Sequence, residues 1–193
     1  MRRAALLLLL AVPALAWAQD RPLTVPTRDV DVVYRAGAGP QTIEQRSRFQ
    51  AADQKLRLDT PSPGLYMIVD QRAHTMAMVS DADRGVVDMA LPGAAIPGMT
   101  AAGQAFTGQA FTPQAFTRRG TDSVAGLGCT EWETLDSQGQ PTLACFTPDG
   151  VLLRARRGAQ VLVVATRVTY GQLDSTVFTV PAAYNRVAAP GRP

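Results

Sequence analysis

Two cysteines, one histidine and a cluster of methionines are the side chains of this 193-residue sequence whose types and spacing could do chemistry. Cys129 and Cys145 lie symmetrically about the turn formers Asp136-Ser137-Gln138-Gly139-Gln140-Pro141. An antiparallel hairpin centred on residue 137 puts Cys129 directly opposite Cys145, Thr130 opposite Ala144 and Trp132 opposite Thr142. Directly opposed residues come close enough for a disulfide. A redox-active pair would want Cys-x-x-Cys spacing, so a structural bond is expected. His74 is the sole histidine, which excludes zinc sites built on several histidines, and no Gly-x-Ser-x-Gly elbow accompanies it. Apart from Met1, all methionines (Met67, Met76, Met78, Met89, Met99) fall within one window. If 73–79 is a strand, His74, Met76 and Met78 share a face, a soft set suited to Cu(I). The blander reading is that flexible methionines fill gaps in a sheet or line an apolar groove. The pairs Asp81/Asp83 and Glu131/Glu133 read as solvated charges, and nucleotide-binding glycine fingerprints are missing. The expectation is a non-enzymatic protein with no catalytic residue, no resident metal and no cofactor.

The elements that must position these residues read as strands. Residues 28–36 alternate Val30, Val32 and Tyr34 against Asp29, Asp31 and Arg35; Ile43 and Phe49 alternate with Glu44, Arg46 and Arg48; Leu56 and Leu58 alternate with Lys55, Arg57 and Asp59. Residues 65–70 are apolar on both faces, so their second side needs cover, and 74–80 follows as the next strand. The stretch 81–85 reads as a turn or a short helix cap, while 86–91 is too short to assign. Pro92 to Arg119 is different in kind: it repeats Gln-Ala-Phe-Thr three times, placing Phe106, Phe111 and Phe116 five residues apart. That period fits neither a helix face nor a strand face, and a long irregular loop is expected. A meander starting at Gly120 carries the cysteines, with Trp132, Ala144 and Phe146 on the core side. It ends in the run 160–170, where Val161 and Val163 share one parity. Residues 178–184 add a last edge segment. The fold class is mainly β: a single antiparallel curved sheet or half-barrel with a long irregular loop and little helix.

The N-terminus has the form of a secretory leader over 1–18: Arg2 and Arg3, an apolar stretch, then Ala16-Trp17-Ala18 as the cleavage site. Residues 19–193 are then one exported domain with no transmembrane segment, located in the periplasm or secreted. Of 19 basic residues, Arg2 and Arg3 leave with the leader, so the remainder carries a formal charge of +1 (19 − 2 against 16 acids). That near-balance gives no reason to expect nucleic acid as a partner. Export implies an oxidising compartment, which favours pairing of the two cysteines.

Gly120-Thr121-(x)-(x)-Val124-Ala125-Gly126-(x)-(x)-Cys129, then Cys145-(x)-(x)-(x)-Asp149-Gly150-Val151-Leu152-Leu153-Arg154, then Phe178-(x)-Val180-Pro181-(x)-(x)-Tyr184 complete the pattern. With the leader and the meander, these blocks resemble an uncharacterised family of exported bacterial proteins similar to the periplasmic lipoprotein-carrier proteins. That resemblance implies an incomplete β-barrel with an apolar concavity, no catalytic residues, and a lipid or lipoprotein acyl chain as ligand. The ligand-facing residues on this reading are Met67, Met76, Met78, Val161 and Val163. The alternatives carried forward are an envelope structural or interaction protein, with an envelope protein as partner and no ligand, and a Cu(I)-binding protein.

Overall fold

The computed structural model describes residues 21–37, 42–90, 116–136 and 139–188. Residues 1–20, which include the stretch read as a leader, and most of the Phe-repeat segment, 92–115, lie outside the described residues. What is described forms one sheet of twelve strands: β1 (Val30–Ala36), β2 (Ile43–Gln50), β3 (Lys55–Asp59), β4 (Leu65–Asp70), β5 (Thr75–Ser80), β6 (Gly85–Ala90), β7 (Thr117–Val124), β8 (Leu127–Leu135), β9 (Pro141–Phe146), β10 (Leu152–Arg157), β11 (Gln160–Tyr170) and β12 (Asn185–Ala188). Their order across the sheet is β12-β6-β5-β4-β3-β2-β1-β11-β10-β9-β8-β7. All neighbours are antiparallel except β12, which runs parallel to β6. The only helical turn among the described residues is 3-10, Ser175–Phe178.

The sheet is open, with β12 and β7 as its edges, but it curls. One buried cluster joins Leu56, Met67, Val69 and Met76 of one arm to Trp132, Ala144 and Phe146 of the other. Tyr34 on β1 reaches across β11 to donate its hydroxyl proton to the Leu152 carbonyl of β10 at 2.7 Å. β7 approaches β11 to within 8 Å (Cα–Cα), although three strands separate them along the sheet. Curvature comes from β-bulges, where one strand spends an extra residue. Bulges interrupt the β1–β11, β10–β11, β9–β10 and β7–β8 ladders.

The second face of β4 and β5 is covered from within the chain. Tyr66, Ile68, Ala77, Val79 and Val86 make a separate buried cluster with Val180 and Tyr184 packed against it. The chain leaves β11, turns through Ser175–Phe178, crosses the outside of the sheet and adds β12 at the far edge. Arg57 pins this strap: its guanidinium lies 3.6 Å from the Tyr66 ring centroid and donates to the Val177 carbonyl at 3.1 Å. Tyr184 donates to Asp81 at 3.0 Å and the Asn185 amide to the Arg84 carbonyl at 2.8 Å.

Three expectations change in detail. The cysteines are bonded (Cα–Cα 5.5 Å), yet Cys145 stands opposite Glu131, Trp132 opposite Ala144 and Thr130 opposite Phe146. The bond is therefore diagonal. The turn is centred one residue later than expected, since the Asp136 amide donates to the Gln140 carbonyl and Gly139 takes φ +73°. The shift is an even number of residues, so every face assignment survives it. β7 begins at Thr117, inside the segment read as an irregular loop, and residues 85–90 form a full strand.

Candidate functional site

The concave face of β4, β5 and β6 is built by simple alternation. Met67 stands opposite Met78, and Val69 opposite Met76. Met76 in turn faces Met89, and Met78 faces Val87. The same face continues onto β3 as Leu56 and Leu58, and onto β2 as Phe49, Ser47, Gln45 and Ile43. No inward position of β2 to β6 carries a titratable side chain. This face can bind through dispersion and apolar burial, or through thioether sulfur, but it offers no group to move a proton.

Accessibility is graded across it. Leu56, Leu58 and Val69 are fully buried, and Met67 and Met76 are 6% and 3% exposed. Met78 is 37% exposed, and its neighbours Val87 and Met89 are half-buried. The accessible parts are the margin toward β6 and, on the β2 side, Ile43, which is also 37% exposed.

The structure brings Met67, Met76 and Met78 together and adds Met89, from a segment too short to assign by its pattern. The clue was present: Val87 and Met89 alternate with Val86 and Asp88. The two valines part company: Val163 lies in the same buried cluster as Met67 and Met76 but is sealed in its core, and Val161 lies outside it. Val163 is fully buried between Ala36 and Ala155 at the centre of the sheet. Val161 pairs with Arg156 on the outer face and is 40% exposed, because a bulge at Leu162 reverses the alternation. His74 is not on β5. It ends the turn 71–74 with φ +53° and is exposed, in the same position as Gln54 and Arg84 in the neighbouring turns (φ +52° and +46°). A residue closing such a turn in the left-handed region is outside the pleat. The set His74, Met76, Met78 therefore does not share a face.

The carboxylate pairs are occupied structurally. Glu131 receives Arg154 at 2.9 Å and Arg156 at 3.3 Å, and Glu133 receives Arg119 at 2.6 Å. Asp122 also pairs with Arg154, completing an ionic row over the disulfide. The Ser123 amide and then Arg154 hold the Asp122 carboxyl below its usual range. Asp83 accepts from Ser80 at 2.7 Å and Asp81 from Tyr184. Among the described residues no group of three or more His, Cys, Asp or Glu could hold a metal ion.

A second concavity, about 480 Å³, is bounded by Arg28, Asp29, Tyr170, Gly171 and Gln172. Its polar groups are already spent on the fold. Arg28 lies 3.7 Å over the Tyr170 ring and bonds Asp149 at 2.7 Å. Asp29 accepts the amides of Ala51 at 2.9 Å and Leu173 at 3.0 Å. It is a clasp for the N-terminal segment.

Fold and site together define a curled, open β-sheet with an apolar concave face. The chain matches no known family model and no curated protein. Its fold recurs in solved structures. An uncharacterised conserved protein from Thermus thermophilus superposes with a TM-score of 0.55 at 11% identity, covering 84% of this chain and 91% of that one. MucB superposes with a TM-score of 0.54 at 10% identity, covering 84% of this chain and 60% of MucB. MucB in its complex with MucA(peri) gives 0.52 at 12% identity, over 86% and 59%. This chain thus spans about three fifths of MucB. At such identities the likeness is one of fold. Among the described residues no helix is long and apolar enough to cross a membrane.

Proposed function

We propose that the chain is a non-enzymatic, exported binding protein that holds an apolar ligand, a lipid or lipoprotein acyl chain, against the concave face around Met67, Met76 and Met78. The observation that carries this is the uninterrupted uncharged face of β2 to β6, opening to solvent at Met78, Val87 and Met89. Unbranched, polarisable methionines can re-pack around chains of varying length. Each buried methylene contributes about 0.8 kcal/mol, so roughly six of them give about 5 kcal/mol before the costs of association. The leader, the disulfide and the resemblance to the lipoprotein carriers support an extracytoplasmic place of work. The test is titration with a fluorescent fatty acid. Saturable binding is expected, weakened when Met78→Asp puts a charge at the margin. Absence of saturable binding to the folded protein ends this reading.

A second reading is favoured by the likeness to MucB, solved in complex with MucA: the same face takes an apolar segment of an envelope protein instead of a lipid. Native mass spectrometry of protein recovered from the periplasm separates the two, since a lipid adds a few hundred daltons and a polypeptide adds thousands.

A further inference from the structure

We propose that the thioethers of Met67, Met76, Met78 and Met89 form a binding site for a soft monovalent cation, Cu(I), on the concave face of β4, β5 and β6. This does not rest on the acyl-chain reading. The pairing places Met67 directly opposite Met78 and Met76 directly opposite Met89, while Met76 and Met78 lie two apart on the same strand and therefore on the same face. Opposed positions bring Cβ atoms to about 4.5–5.5 Å. Each sulfur lies two bonds beyond its Cβ, which puts sulfurs from neighbouring positions within reach of one ion. No other described residue is a methionine. Thioether is a soft donor that selects Cu(I) over magnesium, calcium or manganese. The same face presents no carboxylate, imidazole or thiolate that a harder or divalent ion would need. A monovalent ion also suits neutral ligands, because its burial leaves only one charge to be compensated. The burial gradient matches such a site: Met67 and Met76 are fixed in the core, while Met78 stands 37% exposed where an ion would arrive.

The experiment is anaerobic titration of the full chain with Cu(I) against a chromophoric Cu(I) chelator, with Ag(I) as a redox-inert stand-in. One Cu(I) per chain and sulfur-only coordination by X-ray absorption are expected. Met78→Leu and Met89→Leu keep the apolar volume and remove the sulfur. Each should weaken Cu(I) by at least about tenfold, the scale seen even for losses beyond the ligands themselves, with the thermal midpoint little changed. His74→Ala should leave affinity unchanged. Failure to retain Cu(I) against the chelator overturns the proposal, as does equal affinity in the double leucine variant. Cu(I) retention and fatty-acid binding are read in separate titrations of the unsubstituted chain, so the metal site and the acyl reading fail or stand separately.

Discussion

Gly150 closes the turn between β9 and β10 at φ +91°, and a Cβ there would lie 2.3 Å from the Val25 carbonyl oxygen. Two constraints coincide: a left-handed backbone and a neighbouring main chain with no room to yield. Gly150→Ala is expected to cost at least about 2 kcal/mol, whereas Gly126→Ala, at φ +78° with nothing within 4 Å, bears only the backbone part. Urea unfolding of the two variants checks the ordering. The same turn holds the N-terminal segment, since the Thr27 amide donates to the Asp149 carbonyl at 3.0 Å. Burial pushes the Asp149 carboxyl up, but hydrogen bonds from Thr147, Arg28 and Tyr170 outweigh it and hold it below the usual range. A depressed acid stabilises above its unfolded pKa, and that contribution is lost as pH falls through the folded value. Residues 21–29 should therefore loosen below about pH 4, near the unperturbed carboxylate value, read as faster amide exchange at Thr27. The disulfide closes a loop of 16 residues, so replacing both cysteines with alanine should cost about 3 kcal/mol. Residue-level chemistry was partly legible: the cysteine pair was expected from a leader-like N-terminus and a shared turn. The diagonal geometry did not, because it depends on Gly139 closing the turn one residue later.

At the scale of elements, strict alternation exposed β1, β2 and β3 with their faces correct, because half-buried strands write their burial into every second residue. Bulges leave no such mark. The extra residues at Leu162 and Thr166 are ordinary strand formers, and only the curvature of the finished sheet makes them odd ones out. That is why parity alone groups Val161 with Val163. The demand for cover over 65–70 was also legible, since a strand apolar on both faces needs two neighbours. What supplied it was the C-terminal strap, which buries Phe178 to 4% exposure and lays Val180 and Tyr184 on the outer cluster. Phe178→Ala should cost about 3–5 kcal/mol. A chain ending at Gly171 should expose Tyr66, Ile68 and Val79 and bind a hydrophobic dye while folded. A truncated protein with wild-type stability and no dye binding would show that the strap is ornamental.

At the scale of the whole molecule, the question is whether the two arms of the curled sheet are one folding unit or two. The strand order puts β4 and β5 on one side of the central β1–β11 pair and β8 and β9 on the other. A flat sheet so arranged would have local contacts only, and each arm could open alone. The curl changes this. Met67, Val69 and Met76 belong to the same buried cluster as Trp132, Ala144 and Phe146. Phe116 completes one side of it, edge-on to Trp132 and Phe146 at centroid distances of 6.4 Å each. Phe116, the last phenylalanine of the repeat, is therefore a core-packing ring, a role its five-residue period did not suggest. Trp132 is 6% exposed, and truncation of a buried aromatic typically costs about 3–5 kcal/mol through lost transfer energy and the remaining cavity. If the core is shared, Trp132→Ala must lower the stability of β3 to β5 by the same amount as that of β8 and β9, although Trp132 sits on only one arm. Native-state hydrogen exchange reads this directly. The slowest amides of Leu56, Val69 and Met76 should lose the same opening free energy as those of Ala144 and Phe146. Full protection kept in β3 to β5 alongside fast exchange in β8 and β9 would mean two separable halves, and the concave face would then be a hinge between independent sheets instead of the wall of one.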